Sequence, residues 1–260
     1  MAATITIEIL GCGDAFDVRF GTSASLVTAS KDGQSVQLMF DCGYQTPVAY
    51  LAQQPPVDSL DALYVSHFHG DHVLGISILL AYFVYQGPRS RPFTIVGQPG
   101  VKRVVEQLCD IAHPRMLSAI PFELRFLETT EPVHVGPLEL SFAQTIHGLP
   151  NFAARLTCGS SIAALSGDGQ ITKESRELYE GASVLVHEGY GWSGSYPKHQ
   201  AVDELLEMLA DSETLQTLVL VHCSGSERRK IAQRLVEQAS RLPFKVQLAL
   251  PGERFEVSSA

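Results

Sequence analysis

The stretch SHFHGDHVLG, residues 66–75, carries three histidines and one aspartate within six consecutive positions. His67 and His69 are two residues apart at the end of a predicted strand, so their side chains leave the backbone on the same side. Asp71 and His72 follow a glycine that permits a tight turn, and they open the next segment, where they can converge beside the first pair. One loop can therefore supply ligands to two metal ions.

A site for two metal ions needs more ligands than one loop provides. Three further candidates, each directly after a β-rich run and beside a small residue, are His147 in AQTIHG, Asp168 in SGDG and His222 in TLVLVH. Strand ends of this kind are where α/β folds gather ligand-binding groups. Imidazole nitrogens suit zinc, with bonds of ~2.0 Å, while carboxylates also suit manganese or iron. We expect two divalent metal ions as cofactors, zinc first, with manganese or iron as the alternatives.

Periodicity along the chain indicates an α/β protein. Alternating and β-branched runs predict strands, and helical spacing of apolar residues predicts helices. The predicted strands are 4–10, 23–29, 35–41, 59–66, 92–97, 123–128, 138–145, 151–158, 161–166, 182–188 and 217–222. The predicted helices are 71–86, 101–112, 173–180, 199–210 and 226–238. We expect two packed sheets with helices outside them, in a single domain over residues 1–260.

Composition and charge narrow the class of protein. The apolar fraction of 45% in 260 residues is enough to bury a large core. No apolar run approaches the ~18 residues of a membrane helix, and the N-terminus MAATITIEILGCG lacks the features of a signal peptide, so we expect a cytoplasmic protein with no membrane partner. Five cysteines without a CxxC pair argue against a disulfide framework. A formal charge of -9 makes extended nucleic acid an unexpected partner.

The order of the candidate ligands resembles the metallo-β-lactamase superfamily across nearly the entire chain. The string His-x-His-x-Asp-His is followed by a lone histidine, an SGD and a final LVLVH. This resemblance implies a four-layer αββα sandwich with a dinuclear metal centre at the edge where both sheets end. It also implies two ligand sets that share a bridging Asp168, namely His67, His69 and His147 for one ion and Asp71, His72 and His222 for the other.

Finer motifs are similar to the ribonuclease Z group and its smaller phosphodiesterase relatives. These motifs are ILGCGDAF, FDCG, HFHGDHVLGISILLAY, RSRPFTIVGQPGV and VLVHEGYG, and the GHTPG-type stretch of glyoxalase-like and lactonase-like members is replaced by TIHGLPNF. The resemblance implies a hydrolase in which a hydroxide that bridges the two ions attacks a phosphodiester. His187 would protonate the leaving alkoxide while Glu188 orients it. Asp71 would act both as a ligand and as a catalytic residue.

The chain departs from the ribonuclease Z pattern in the region that grips transfer RNA. Only residues 148–167 separate His147 from Asp168, which leaves room for a hairpin in place of a long projecting arm. The HST stretch of the family is altered in SYPKHQAV, and the threonine usual after the bridging aspartate is Gly169. We therefore expect a small phosphodiester substrate, such as a cyclic nucleotide, a ribose cyclic phosphate or a short dinucleotide.

Three other functions compete with this one. The alternatives on the same metal site are a tRNA 3′-processing endonuclease (ribonuclease Z) and an esterase or lactonase. A non-catalytic sensor would be marked by a broken ligand set, whereas the set here is intact. Homodimers are common in the resembled group, so a second copy of the chain is a candidate partner.

Several residues near the predicted centre are candidates for contact with the substrate or the metal ligands. Those proposed to hold a phosphate are Arg155, Lys198 and His199. Those proposed to stack on a base are Phe152, Tyr190 and Trp192. Asp41 in MFDCG is expected to orient a metal-binding histidine. The alternative role for His187 is that of a buried structural histidine whose hydrogen bonds are satisfied. The alternative role for His199 is that of a polar residue at the start of a helix.

Overall fold

Two seven-stranded sheets lie face to face in the computed structural model, which describes residues 3–86, 89–194, 196–238 and 242–258. The first half of the chain contains β1 (Thr4–Gly11), β2 (Ala24–Lys31), β3 (Gln34–Phe40), α1 (Thr46–Ala52), β4 (Ala62–Val65), α2 (Gly70–Val73), α3 (Ile76–Tyr85), β5 (Phe93–Gly97), α4 (Val101–Ala112), a short 3-10 helix (Met116–Ala119) and β6 (Leu124–Glu128).

The second half builds the second sheet and then returns to the first. Its elements are β7 (Val133–Val135), β8 (Leu138–Gln144), β9 (Phe152–Cys158), β10 (Ser161–Leu165), α5 (Lys173–Tyr179), β11 (Val184–Glu188), α6 (Val202–Leu209), β12 (Thr217–Val221), α7 (Arg228–Gln238), β13 (Lys245–Leu248) and β14 (Arg254–Ser258). The spatial orders are β14-β1-β2-β3-β4-β5-β6 and β13-β12-β11-β10-β9-β8-β7. The last strand therefore closes the first sheet beside β1.

Three apolar clusters give the molecule its layers. The cluster between the sheets takes residues from both, among them Ile7, Leu38, Leu156 and Val219. A second cluster packs α1, α3 and α4 on the outer face of the first sheet, and a third packs α5, α6 and α7 on the outer face of the second. Burial of apolar surface, worth roughly 25 cal/mol per Å², holds these layers together. The predicted four-layer αββα arrangement is confirmed.

The parallel strands bring one set of loops to a common edge. β3, β4, β5 and β6 run parallel, and so do β10, β11, β12 and β13. Because the carboxyl ends of parallel strands meet at one edge of a sheet, the loops after β3, β4, β10 and β12 lie near one another. These loops carry Asp41, residues 66–69, Asp168 and His222. No helix of the described residues has the length and apolar character needed to cross a membrane.

The helix predicted over residues 71–86 is broken between α2 and α3. A side chain at Gly75 would come within 2.2 Å of the Gly43 carbonyl oxygen, so the backbones approach as closely as glycine alone allows. The Gly75 N–H donates to the Cys42 carbonyl oxygen at 2.9 Å, and the Cys42 N–H donates to the His72 carbonyl oxygen at 2.8 Å. The break thus fixes α2, with His72, against the loop that carries Asp41.

A buried arginine ties the Pro-rich segment after α1 to the core. Arg89 is 1% exposed. Its guanidinium lies 4.7 to 5.5 Å from the ring centroids of Phe83, Phe93 and Phe122. It donates hydrogen bonds to the carbonyl oxygens of Val57, Leu60 and Pro92. One side chain therefore satisfies three backbone acceptors and packs against three rings.

Replacing Arg89 with methionine is expected to lower the free energy of unfolding by about 3 kcal/mol, because buried acceptors left without a donor cost ~1–3 kcal/mol each. Urea denaturation followed by circular dichroism measures the change. Arg103→Met is the control, since Arg103 is exposed on α4, and its effect should stay within ~0.5 kcal/mol. Equal stability of the two variants would contradict this account of Arg89.

Candidate metal centre

The first ligand set unites histidines from both sheets. His67 and His69 follow β4, and His147 follows β8. Nδ1 of His69 lies 3.0 Å from Nε2 of His67 and 3.0 Å from Nε2 of His147. Nitrogens bound to one ion through bonds of ~2.0 Å are themselves about 3 to 3.5 Å apart. The spacing of these three nitrogens therefore suits a single metal ion.

The second ligand set, Asp71, His72 and His222, lies beside the first and shares Asp168 with it. Nε2 of His222 is 3.2 Å from a carboxylate oxygen of Asp71 and 3.2 Å from one of Asp168. Nε2 of His72 is 3.3 Å from Asp71 and 3.4 Å from Asp168. Each set, taken together with Asp168, offers one potential ligand atom per residue. Within a set, these atoms all lie within 4.8 Å of one another. The structure thus brings all seven predicted ligands together.

Asp168 reaches both sets because of the turn that follows β10. Gly167 and Gly169, on either side of it, have φ of +61° and +102°, in the region that favours glycine. Glycine therefore suits both positions without backbone strain. The Asp168 N–H donates to Oδ1 of Asn151 at 3.1 Å. A carboxylate oxygen then lies 3.7 and 3.8 Å from Nε2 of His67 and His147.

The carboxylate of Asp41 contacts Ser66 and His72, a member of the second ligand set. This carboxylate accepts hydrogen bonds from the N–H and the hydroxyl of Ser66, both at 2.8 Å. It also lies 2.7 Å from Nδ1 of His72. Because an ionised carboxylate can only accept, Nδ1 of His72 carries the proton, and Nε2 faces Asp71 and Asp168. The contact is the one expected of Asp41 from the sequence.

The chemistry of the centre fits divalent cations. Nε2 of His72 and Oδ1 of Asp168 are buried and have no hydrogen-bond partner among the described residues, which is rare for buried polar atoms. Burial lowers the pKa of His67 and of His69 and keeps these imidazoles neutral. Burial alone would raise the pKa of Asp168, but the facing imidazoles of His222 and His72 outweigh it and lower the pKa. Burial alone would lower the pKa of His72 and of His222, but the facing Asp168 carboxylate outweighs it and raises both. Because neutral imidazoles and ionised carboxylates are the forms that bind metal, these two histidines would release a proton when a metal ion binds.

A histidine and a glutamate lie next to the two ligand sets. Nδ1 of His199 is 2.5 Å from Oε1 of Glu188, and the other oxygen of this carboxylate, Oε2, accepts the backbone N–H of Gly169. The His199 ring stacks on the rings of Tyr190 and His222, at centroid distances of 4.5 and 5.7 Å. Burial would lower the pKa of His199, but the hydrogen bond and the charge of Glu188 outweigh it and raise the pKa. With 25% of its side chain exposed, His199 can contact a bound molecule.

The structure contradicts the general-acid role predicted for His187. Successive residues of a strand point to opposite faces, so His187 and Glu188 of β11 cannot both face the centre. His187 is fully buried, and its ring meets Tyr179 of α5 edge-on at 5.7 Å. Its Nδ1 donates to the Glu188 carbonyl oxygen at 2.8 Å. His199 occupies the place beside Glu188 instead.

One of the predicted substrate contacts on β9, Arg155, does not lie at the centre. The guanidinium of Arg155 donates to the carbonyl oxygens of Leu178 and Glu180, at the end of α5 on the outer face of the second sheet. The prediction for Arg155 is therefore wrong, because the carbonyl end of a helix attracts this cation. Phe152 is half-buried and donates its N–H to the Ser66 carbonyl oxygen. Trp192 is buried, with 6% exposed.

A cavity of about 270 Å³ opens over the centre, and His199, Tyr190 and Phe16 contribute to its walls. Phe16 is 88% exposed. Its loop is fixed, because Oδ1 of Asp14 accepts the Phe16 N–H at 2.9 Å and the Tyr44 hydroxyl donates to the Ala15 carbonyl oxygen at 2.6 Å. Phe16 is not among the residues predicted from the sequence, although its place in GCGDAF, directly after a strand that ends at the site, was a usable signal.

Comparison with known proteins agrees with this geometry. The family model of the anti-Pycsar protein Apyc1 matches residues 5–241. Ribonuclease Z from Staphylococcus epidermidis is 28% identical over 167 residues, which are 58% of this chain and 53% of that protein. Ribonuclease Z from Staphylococcus carnosus is 29% identical over 149 residues, which are 53% of this chain and 47% of that protein. The chain spans about half the length of these curated relatives.

Solved structures share the fold over nearly the whole chain. The metallo-β-lactamase fold protein YhfI from Bacillus subtilis has a TM-score of 0.78 at 22% identity, covering 97% of this chain and 99% of that one. A diphosphatase of the PhnP family has a TM-score of 0.72 at 18% identity, with 96% and 97% covered. The short form of human tRNase Z has a TM-score of 0.70 at 19% identity, with 96% and 98% covered. The metallo-β-lactamase fold inferred from the sequence is confirmed, and the chain belongs to the family of the anti-Pycsar protein Apyc1.

Proposed function

We propose that the protein is a dinuclear metal-dependent hydrolase, a phosphodiesterase that acts on a small or cyclic phosphodiester. The observation that carries the proposal is the sharing of Asp168 by two ligand sets beside the His199–Glu188 pair. The residues that would hold the ions are His67, His69 and His147 for the first and Asp71, His72 and His222 for the second. We expect zinc, with manganese or iron as alternatives. Two bound divalent ions would lower the pKa of water and neutralise charge on phosphoryl oxygens.

His199 is placed to give a proton to the leaving group. Glu188 accepts the hydrogen bond from Nδ1 of His199, which fixes the ring and leaves Nε2 for the substrate. An alkoxide is a poor leaving group, and a positioned histidine contributes roughly 10²–10⁴-fold to its departure. We therefore assign His199 as the general acid and Glu188 as the residue that orients it. Asp71, which lines the cavity, remains assigned both as a ligand and as a catalytic residue.

The shape of the site favours a small substrate. The cavity over the centre has a volume of about 270 Å³. Within the continuous described stretch 89–194, the chain between His147 and Asp168 forms only the β9–β10 hairpin and carries no projecting arm. Cleavage of precursor tRNA is the second candidate, because the curated relatives named ribonuclease Z match just over half of the chain.

An activity screen of the metal-loaded protein tests the proposal, with elemental analysis of the same sample. The substrates are cyclic nucleotides, linear dinucleotides, bis(p-nitrophenyl) phosphate, precursor tRNA, p-nitrophenyl acetate and simple lactones. We expect two metal ions per chain and turnover of small phosphodiesters. Faster turnover of the carboxylic esters or lactones would favour the esterase alternative. Precursor cleavage that falls steeply with salt would favour the nuclease.

Replacing Phe16 with alanine is expected to raise KM for the preferred cyclic nucleotide by about 5- to 150-fold with little change in kcat, because stacking on an aromatic ring is worth ~1–3 kcal/mol per base. Initial rates over a range of substrate concentrations measure the effect. Val18→Ala is the matched control, since Val18 is also 88% exposed in the same loop but does not line the cavity. Unchanged KM in the Phe16 variant would remove the ring from the substrate site.

A further inference from the structure

The turn Tyr196–Gln200 contacts both the first ligand set and the general acid. The Lys198 carbonyl oxygen lies 2.9 Å from Nδ1 of His147. A carbonyl oxygen can only accept, so Nδ1 of His147 carries the proton, and Nε2 presents its lone pair to His67 and His69. The next residue, His199, bonds to Glu188. Two consecutive residues therefore orient a metal ligand and a proton donor.

The direction of that carbonyl depends on an unusual backbone at Lys198. Its φ is +68°, in the left-handed region that glycine and asparagine tolerate and β-branched residues avoid. The following N–H, of His199, closes the turn by donating to the Tyr196 carbonyl oxygen at 3.0 Å. The Lys198 side chain is exposed and lines an open pocket beside His147. The backbone of Lys198, rather than its ammonium group, makes the contact with His147.

Both ends of the turn are anchored to other elements. The Tyr196 hydroxyl donates to a carboxylate oxygen of Glu227 at 3.2 Å. Gln200 is 1% exposed, and its side-chain oxygen accepts the Ile171 N–H at 2.9 Å, three residues beyond Asp168. The Gln200 carbonyl oxygen accepts the Tyr190 N–H at 3.0 Å. With both ends held, the conformation at residue 198 decides where the middle of the turn points.

We propose that the turn Tyr196–Gln200 is a positioning element shared by the first metal site and the general acid, and that it requires a left-handed backbone at Lys198 and not an ammonium group. The inference rests on the proposed function, since it takes His147 as a metal ligand. Lys198 acts through His147 and His199, so it is a positioning residue. The proposal replaces the expectation that the Lys198 ammonium holds the phosphate.

Three substitutions separate the backbone from the ammonium group. Lys198→Gly and Lys198→Asn remove the charge but tolerate a positive φ, whereas Lys198→Val removes the charge and disfavours that φ. Zinc affinity is measured on metal-free protein by competition with a chromophoric chelator. We expect the glycine and asparagine variants to stay within ~2-fold of wild type and the valine variant to bind one of its two ions ~10- to 100-fold more weakly, the usual effect of a lost ligand-orienting contact.

Two further readouts distinguish positioning from general destabilisation. Nitrogen-15 NMR of the imidazole rings should place the His147 proton on Nδ1 in wild type and in Lys198→Gly, and this state should be lost in Lys198→Val. Arg115→Val is the matched control, because Arg115 is exposed and has a φ of +70° outside the centre. It should lower the melting temperature but leave both zinc affinities unchanged.

The outcomes separate failure of this inference from failure of the proposed function. Equal weakening in Lys198→Gly and Lys198→Val would assign the effect to the ammonium group and overturn the inference. Wild-type affinity in a folded Lys198→Val would also overturn it. Should the valine variant not fold, Lys198→Ala gives the same comparison. We expect its zinc affinity to lie between that of Lys198→Gly and one tenth of the wild-type affinity. A wild-type protein that binds no zinc, manganese or iron would refute the proposed function itself.

Discussion

Asp168→Ala should reduce the bound metal from two ions to one or none and abolish turnover. Its carboxylate is common to both ligand sets, at 3.2 Å from Nε2 of His222, 3.4 Å from that of His72 and 3.7 Å from that of His67. Loss of an outer contact to a ligand typically weakens metal binding ~10- to 100-fold, and loss of a shared ligand should exceed that range. Elemental analysis and hydrolysis of bis(p-nitrophenyl) phosphate measure the two effects.

Two variants control the Asp168 experiment. Asp168→Asn keeps the size and one acceptor oxygen but removes the charge, so it should lose metal while its far-ultraviolet circular dichroism stays that of the wild type. Asp110→Ala, at an exposed position of α4, should keep two ions and full turnover. A folded Asp168→Ala protein with two ions and undiminished turnover would rule out Asp168 as a ligand shared by the two ions.

His199→Ala should lower kcat by roughly 10²–10⁴-fold for a cyclic nucleotide, because an alkoxide needs a proton to leave. The loss should be much smaller for bis(p-nitrophenyl) phosphate, since p-nitrophenolate departs without one. The metal content should remain at two ions. This dependence on the leaving group is a signature of the general acid that neither misfolding nor metal loss produces.

Variants of β11 complete the test of the acid. Glu188→Gln should show the same leaving-group dependence with a smaller loss, because the His199 ring keeps a partner at Nδ1. His187→Gln should lower the melting temperature, since His187 is buried against Tyr179, but the ratio of rates for the two substrates should not change. A selective loss with the cyclic nucleotide in His187→Gln, and none in His199→Ala, would restore the original assignment.

The seven candidate ligands were predictable because each rule behind them is local. His67 and His69 share a face by strand geometry, and the isolated His147, Asp168 and His222 stand at strand ends. The order of these residues then identified the superfamily, and with it the pairing of two sheets that brings the strand ends together. The fold class and the gathering of the seven candidate ligands at one edge therefore follow from spacing, order and the family resemblance that they support.

The proposed general acid, His199, differs from the residue predicted from the sequence, because the sequence motif was weighed above strand geometry. VLVHE alternates, so if Glu188 faces the centre then His187 faces the helices. His199 lies in the turn Tyr196–Gln200, which lacks the HST stretch that the family resemblance leads one to expect, and its contact with Glu188 is tertiary. Arg155 was predicted to contact the substrate because it is close to His147 along the chain. That proximity does not indicate the face of β9 from which its side chain projects.

Tertiary contacts also explain the errors in secondary structure. The apolar run over 71–86 gives no sign of the break at Gly75, which arises from a close approach to Gly43. The strands β13 and β14 were not predicted, since KVQL and RFEVS are short and gain their stability from pairing with β12 and β1. Propensity is a weak guide for segments of this length.

The gathering of strand ends at one edge divides the molecule into parts that evolution can treat differently. At the edge that carries the candidate ligands, four loops must together preserve the geometry of one centre, so a change in one loop constrains the others. At the opposite edge, the hairpin turns near Gly33, Gly136 and Gly159 border a shared open pocket and carry none of the seven candidate ligands. Longer turns or additional domains at this opposite edge would therefore leave the candidate metal centre unchanged.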